Sequence, residues 1–167
     1  MSSHITQFLD GIANDIVNLN ADLALLRSWG AQPELWLRNQ IALLMYRRYH
    51  PSFIHIGCEV SYQNASNERI DLVVSRGPTY YLEIKIENEN SRNRDWLSND
   101  SPLAQDAHKV LQFRVNKTAH RCLIAVAFTT LRMNDLRALY NDALPTSRVL
   151  KQANGIAVFA TDLDPLV

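Results

Sequence analysis

Two short segments with a strand-like pattern, residues 68–75 and 79–86, flank a polar break in the middle of the chain. Both are rich in β-branched and aromatic side chains, and the Arg-Gly-Pro sequence at 76–78 between them is typical of a turn. The pattern therefore predicts a β-hairpin. Because successive strand residues point to opposite faces of a sheet, Glu83 and Lys85 should share one face while their apolar neighbours take the other.

Apolar residues elsewhere in the chain recur with helical or strand spacing. Residues 121–128 form a nearly continuous apolar run. Such a run predicts a central strand that is buried on both faces and parallel to a neighbour after a helical crossover. The predicted elements are helices over 4–18, 20–29, 33–49, 101–116 and 131–143, and strands over 53–62, 68–75, 79–86, 121–128 and 155–160.

This order of elements predicts an α/β fold in which a mixed central β-sheet is flanked by helices. The core order is α-β-β-β-α-β, with an extra N-terminal helical pair and a C-terminal helix and strand. We expect residues 1–167 to form a single domain, since this length suits one core. Residues 1–30 are expected to be an N-terminal helical appendage, either a packed cap or a dimer surface.

Composition is that of an ordinary globular protein, with 47% hydrophobic and 20% charged residues and a formal net charge of zero. A surface that binds nucleic acid would therefore have to be a local basic patch. The chain has no signal peptide pattern and no apolar run long enough to span a membrane. Cys58 and Cys122 lack metal-site spacing, which indicates reduced core cysteines and a cytoplasmic location.

The predicted hairpin brings charged residues together. Asp71 on its first strand should lie roughly opposite residues 83–85 on its second. Mg²⁺ takes oxygen ligands, and Asp71 and Glu83 could supply two, with the backbone carbonyl of Ile84 as a third. A metal there could polarise a phosphodiester and generate a hydroxide. Lys85 could position or deprotonate the attacking water, or stabilise the charged transition state.

The same residues also fit a structural interpretation. An exposed antiparallel strand commonly carries a cross-strand ion pair, which contributes only tenths of a kcal/mol. On the hairpin alone, the structural and the catalytic interpretations are about equally supported.

The spacing Asp–x11–Glu-x-Lys, carried on a hairpin of apolar strands, resembles the PD-(D/E)XK nuclease superfamily. The match covers the hairpin closely and the rest of the chain in element order, and Ile70 stands where the superfamily's name has proline. The resemblance implies a hydrolase that uses Mg²⁺ or Mn²⁺ to cleave phosphodiester bonds. Asp71 and Glu83 would then bind the metal, and Lys85 would take part in the chemistry.

The flanking helices contribute further residues under this resemblance. Members often direct an acidic residue from the helix before the sheet at the metal, and Glu34 is the matching position, although it also suits the helix dipole. From the helix after the hairpin they often direct a polar or cationic residue. Lys109 and Gln112 match there, although a solvated helix face explains both equally well. Glu59 is a further acidic candidate in strand 53–62.

A polar stretch, residues 87–101, begins directly after the hairpin. Arg92 and Arg94 could contact phosphate there and Trp96 could stack on a base. The alternative is a solvated loop with Trp96 tucked onto the core. A second basic group consists of Arg38, Arg47, Arg48 and His50, which we expect to form an exposed stripe that is either solvated or in contact with phosphate.

These observations favour a metal-dependent nuclease, and we expect a DNA endonuclease rather than one acting on RNA. Two alternatives remain open. One is a non-catalytic module on the same fold that binds nucleic acid or protein. The other is a toxin or effector nuclease controlled by an inhibitor protein. The expected partner is nucleic acid rather than a membrane, and a homodimer or an inhibitor protein is also allowed.

Overall fold

The chain folds around a single twisted sheet in a computed structural model that describes residues 4–49, 55–62, 65–75, 77–88, 95–112, 118–142 and 146–164. A mixed six-stranded sheet is flanked by five described helices, so the α/β fold class is confirmed. The helices are α1 (His4–Asn18), α2 (Asn20–Ser28), α3 (Pro33–Tyr49), α4 (Pro102–Leu111) and α5 (Thr130–Asn141), and the strands are β1 (His55–Tyr62), β2 (Ala65–Ser75), β3 (Thr79–Ile86), β4 (Ala119–Ala127), β5 (Arg148–Ala153) and β6 (Ile156–Asp162).

The six strands lie in the order β1-β2-β3-β4-β6-β5. The predicted hairpin is present, since β2 pairs antiparallel with β3 from Leu72–Leu82 to Ser75–Thr79. Its turn includes Gly77 with a φ of 87°, a conformation that glycine adopts without strain. Strand β4 runs parallel to β3 after the α4 crossover, as its continuous apolar sequence predicts. Arg76 lies outside the described residues.

Helix α1 is a core element and not an appendage. Its apolar side chains recur on one face of the helix, and Leu9, Ile12 and Ile16 are fully buried. They join the same hydrophobic cluster as Leu82 and Ile84 of β3, and α1 lies against β5 and β6. Of the two roles expected for residues 1–30, α1 takes that of a packed cap, but it belongs to the main core and not to an appendage, because it covers one face of the sheet.

The C-terminal part contains one strand more than the sequence analysis predicts. Strands β5 and β6 form a hairpin, and the turn at Asn154 and Gly155 has positive φ at both residues, as two-residue hairpin turns require. Strand β5 is at the edge of the sheet and only Val149 is buried, so it lacks the apolar alternation that identifies a strand. Helix α4 ends at Leu111, and residues 113–116 of its predicted extent lie outside the described residues.

The two cysteines occupy different environments. Cys122 is buried in β4, whereas Cys58 is exposed on β1, so the expectation of a core position is wrong for Cys58. Strand β1 is an edge strand, so within the described sheet it has a neighbouring strand on one side only. In the described part of the chain, none of the helices is long and apolar enough to cross a membrane.

Candidate metal centre

The candidate site lies where β2 and β3 separate. Their backbone pairing ends at Leu72 and Leu82, while β2 continues to pair with β1 at Ile70. In the gap, the Ile84 N–H donates to Oδ2 of Asp71 at 2.8 Å, so a side chain replaces the missing strand partner. This contact brings the carboxyl group of Asp71 close to Glu83, and burial is the main cause that raises the pKa of Asp71.

Glu83 is the most buried carboxyl group of the site, with 4% of its surface exposed. Its Oε1 accepts a hydrogen bond from Nζ of Lys109 at 2.6 Å. Its Oε2 is buried and has no hydrogen-bond partner among the described residues. Burial, followed by the charge of Asp71, raises the pKa of Glu83 to about 8, because Lys109 offsets these effects only in part. Glu83 therefore gives up its proton less readily than an ordinary glutamate, and a cation beside it favours the ionised form.

Lys85 shares the face of Glu83, as the strand alternation predicts, but its partner is a residue that the sequence analysis missed. Its Nζ lies 2.8 Å from Oδ2 of Asp106 on α4. Burial alone would lower the pKa of Lys85, but Asp106, with the charges of Glu34 and Glu83, outweighs burial and raises it. Lys85 is therefore a fixed cation at neutral pH. The signal that could have identified Asp106 is its position three residues before Lys109, which places both on one side of α4.

Glu34 reaches the same cluster from the first turn of α3. Burial raises its pKa, and the charges of Asp71 and Asp106 raise it further against the opposing effect of Lys85. Its carboxyl group also accepts a hydrogen bond from the Ile86 N–H. Glu34 is thus both a carboxylate at a helix N-terminus and a member of the charged cluster, so the two interpretations of the sequence are compatible.

Arg38 is a second residue of α3 at the site, and the expectation that it is exposed is wrong. It is 9% exposed, donates to Glu59 at 2.8 Å, and lies 4.0 Å from Oδ1 of Asp71. Glu59 has a positive φ of 51°, and its partner Arg38 lowers its pKa.

The other residues of the predicted basic stripe are Arg47, Arg48 and His50. Arg48 forms an ion pair with Asp15, which links α3 to α1. Arg47 is exposed and His50 lies outside the described residues.

The residues predicted to contact nucleic acid are in different positions. Lys109 belongs to the carboxyl cluster through Glu83. Gln112 is exposed at the C-cap of α4. Trp96 is only 2% exposed and packs with the hydrophobic cluster between the sheet and helices α4 and α5. Of its two interpretations, the position on the core is confirmed, and stacking on a base is wrong. Arg92 and Arg94 lie outside the described residues.

The charge balance of the cluster fits a divalent cation. Four carboxyl groups, those of Glu34, Asp71, Glu83 and Asp106, interact with two lysines, and the neighbouring Arg38 is shared with Glu59. No group of three or more His, Cys, Asp or Glu side chains in the described ranges has a metal-binding arrangement. The predicted ligand set needs only two carboxylates and a backbone carbonyl, and the unpartnered Oε2 of Glu83 is an oxygen that a cation would satisfy.

No family model matches the chain, and neither a curated protein nor a solved structure matches it. The resemblance to the PD-(D/E)XK superfamily therefore rests on the hairpin residues and on the order of the elements.

Proposed function

We propose that this protein is a metal-dependent nuclease of the PD-(D/E)XK type that hydrolyses phosphodiester bonds, with DNA as the expected substrate. The observation that carries the proposal is the burial of the Glu83 carboxyl group with incomplete hydrogen bonding. This carboxyl group is buried beside Asp71, one of its oxygens has no hydrogen-bond partner in the described part of the chain, and the cluster there has more carboxyl than ammonium groups. An apolar side chain at this position would avoid the desolvation of a carboxyl group, so the retention of Glu83 supports a binding role.

The proposed roles follow from the surroundings of each residue. Asp71 and Glu83, with the carbonyl of Ile84, would hold Mg²⁺ or Mn²⁺. Such an ion supplies Lewis-acid chemistry and a hydroxide near neutral pH. Lys85 keeps its proton because Asp106 raises its pKa, so it is assigned to the negative charge of the transition state rather than to the role of base. Glu34 is placed to accept hydrogen bonds from water near the carboxylates.

A second candidate is a non-catalytic binding module, and one observation favours it. Both lysines already have carboxylate partners, since Lys109 contacts Glu83 at 2.6 Å and Lys85 contacts Asp106 at 2.8 Å. A closed network of this kind can serve the fold alone. The two candidates differ in what a divalent cation does, because only the nuclease requires one.

The test is incubation of the purified protein with plasmid DNA and, separately, with RNA, in Mg²⁺ or Mn²⁺ and beside an EDTA control. The proposal expects cleavage that EDTA abolishes and that Glu83→Gln loses. Asp15→Asn is the matched control, because Asp15 is also a buried carboxyl group with one oxygen paired to a cation and the other unpartnered, but it lies on α1. Intact substrate with every metal, from a folded parent protein, would contradict the nuclease and favour the binding module.

A further inference from the structure

We propose that Lys109 is the resident counter-ion of Glu83, and that a divalent cation entering the site displaces its ammonium group towards solvent. The inference rests on the metal site of the proposed function and assigns Lys109 a role beyond that of a nucleic-acid contact. In this account the helix α4 supplies the cation that stabilises the carboxyl cluster whenever the metal is absent.

The contact geometry makes Lys109 and a metal ion competitors. Nζ of Lys109 lies 2.6 Å from Oε1 of Glu83, which is one of the two oxygens that the carboxylate offers. A magnesium ion sits about 2.0–2.1 Å from its oxygen ligands. An ammonium group and a divalent ion on one carboxylate would be like charges within a few ångströms, in surroundings that screen them poorly. Even with the metal ion on Oε2, this repulsion favours departure of the Lys109 ammonium from Oε1.

The two lysines of the cluster differ in how they are held. Lys85 is fixed on a central strand and paired with Asp106, so metal binding at Glu83 leaves its ion pair intact. Lys109 lies in the last turn of α4, and its side chain is 28% exposed. Its flexible four-carbon stem lets the ammonium move towards water while Val110 keeps the helix anchored in the core.

The metal-free protein needs such a counter-ion. Without Lys109, the carboxyl group of Glu83 would be buried beside Asp71 with no cation in contact among the described residues. An unpaired buried charge destabilises the folded state. The Lys109 ammonium would pair with Glu83 in the metal-free protein, and the metal ion would take over that role when it binds.

The first measurement is acetylation of lysine in the wild-type protein at about pH 8, with and without saturating Mg²⁺, read residue by residue by mass spectrometry. The proposal expects Lys109 to react several-fold faster when Mg²⁺ is present. Lys151 is the matched control, because it lies on a strand and contacts Asp10 at 2.7 Å, far from the carboxyl cluster in sequence. Its reactivity should not change.

The second measurement is Mn²⁺ affinity of Lys109→Met beside Lys151→Met. Removal of a charge in direct contact with Glu83 should tighten Mn²⁺ binding roughly tenfold or more, since close charge pairs couple at this strength or above. Lys151→Met should bind like the wild type. The acetylation experiment uses the unaltered chain, so the inference can be judged even if Lys109→Met does not fold.

The outcomes separate this inference from the proposed function. If Mn²⁺ binds the wild type through Glu83 but Lys109 neither changes its reactivity nor affects affinity, the counter-ion role is overturned and the metal site stands. If Mn²⁺ binds Lys109→Met alone, no cation displaces Lys109 in the native chain, so the proposed displacement is overturned together with metal-dependent activity. If Mn²⁺ binds neither protein, both proposals are overturned.

Discussion

The Ile84 N–H donates to the carboxylate of Asp71 at 2.8 Å, at the point where β2 and β3 no longer pair through their backbones. Asp71 therefore has two roles. It is proposed to bind the metal, and it accepts a hydrogen bond from a backbone N–H of the central strand β3. Substitutions of Asp71 should therefore separate the two roles.

Asp71→Asn should keep the fold and lose metal. The asparagine carbonyl can still accept from Ile84, but it lacks the negative charge that a divalent ion needs. Asp71→Ala leaves that backbone donor unpaired as well and should cost a further ~1–3 kcal/mol of unfolding free energy. Urea unfolding and Mn²⁺ titration on both variants check this. Equal stability of the two variants would show that the contact with Ile84 contributes nothing.

Lys85→Ala tests whether Lys85 contributes to the cleavage rate or only to the free energy of unfolding. As half of a partly exposed ion pair, Lys85 should contribute about 1 kcal/mol or less to unfolding free energy, much like Lys151. In the proposed reaction its loss should lower the cleavage rate roughly 10²-fold or more. Lys85→Ala should still bind metal, since an ammonium group is not a ligand. Cleavage at the parent rate by Lys85→Ala, with Lys151→Ala as control, would end the catalytic assignment.

The stability of the metal-free protein should fall as the pH rises between about 4.5 and about 8. Burial raises the pKa of folded Glu83 from 4.5 to about 8, so the folded state holds a proton that the unfolded chain has released. The stabilisation is complete below the unfolded pKa and is lost as the pH passes through the folded pKa. The pKa values of Asp71 and Glu34 are also raised, so these groups act in the same direction.

Melting temperatures measured across this pH window check the prediction. Saturating Mn²⁺ should reverse the trend, because the ion replaces the proton and binds only the folded state. In Glu83→Gln the decline should be shallower and Mn²⁺ should have little effect. A metal-free melting temperature that rises steadily from pH 5 to pH 8 would contradict the raised pKa of Glu83.

Glu87 should matter for the fold and not for the metal. It is fully buried, and its Oε2 accepts from the N–H groups of Phe128 at 2.6 Å and Thr129 at 2.9 Å, just before α5. Glu87→Ala leaves both donors unpaired and should destabilise the protein by ~1–3 kcal/mol or more. Per folded molecule, Mn²⁺ affinity should match that of the wild type. A selective loss of Mn²⁺ binding in Glu87→Ala would extend the site to this residue.

Sequence periodicity was enough to predict the hairpin and the shared face of Glu83 and Lys85, because strand alternation is a local property. It was not enough for Asp106 or Trp96. Asp106 reaches Lys85 only because of how α4 is rotated over the sheet, and Trp96 is buried only because α4 and α5 leave room for it. The spacing from Lys109 indicates the side of α4 on which Asp106 lies, but its partner, like the depth at which Trp96 is buried, depends on long-range contacts.

Arg38 illustrates the same limit for helix α3. Apolar and polar residues alternate irregularly along α3, so its inner face cannot be read from spacing alone. Burial of the Arg38 side chain depends on Glu59 of β1, 21 positions later in the chain. A charged residue in a helical pattern is usually exposed. Burial of Arg38 is tolerated because the Glu59 carboxylate offsets part of the desolvation cost of its guanidinium group.

The most direct test of the account is the Mn²⁺ affinity of the metal-free protein at about pH 8, measured by calorimetry on the wild type and on Glu83→Gln, with Asp15→Asn as control. We expect Mn²⁺ to bind saturably to the wild type and to Asp15→Asn. Its binding to Glu83→Gln should be at least about tenfold weaker, since a charged ligand has been removed. Absence of saturable binding to the folded wild type, or equal affinity in Glu83→Gln, would contradict a divalent cation site at Asp71 and Glu83.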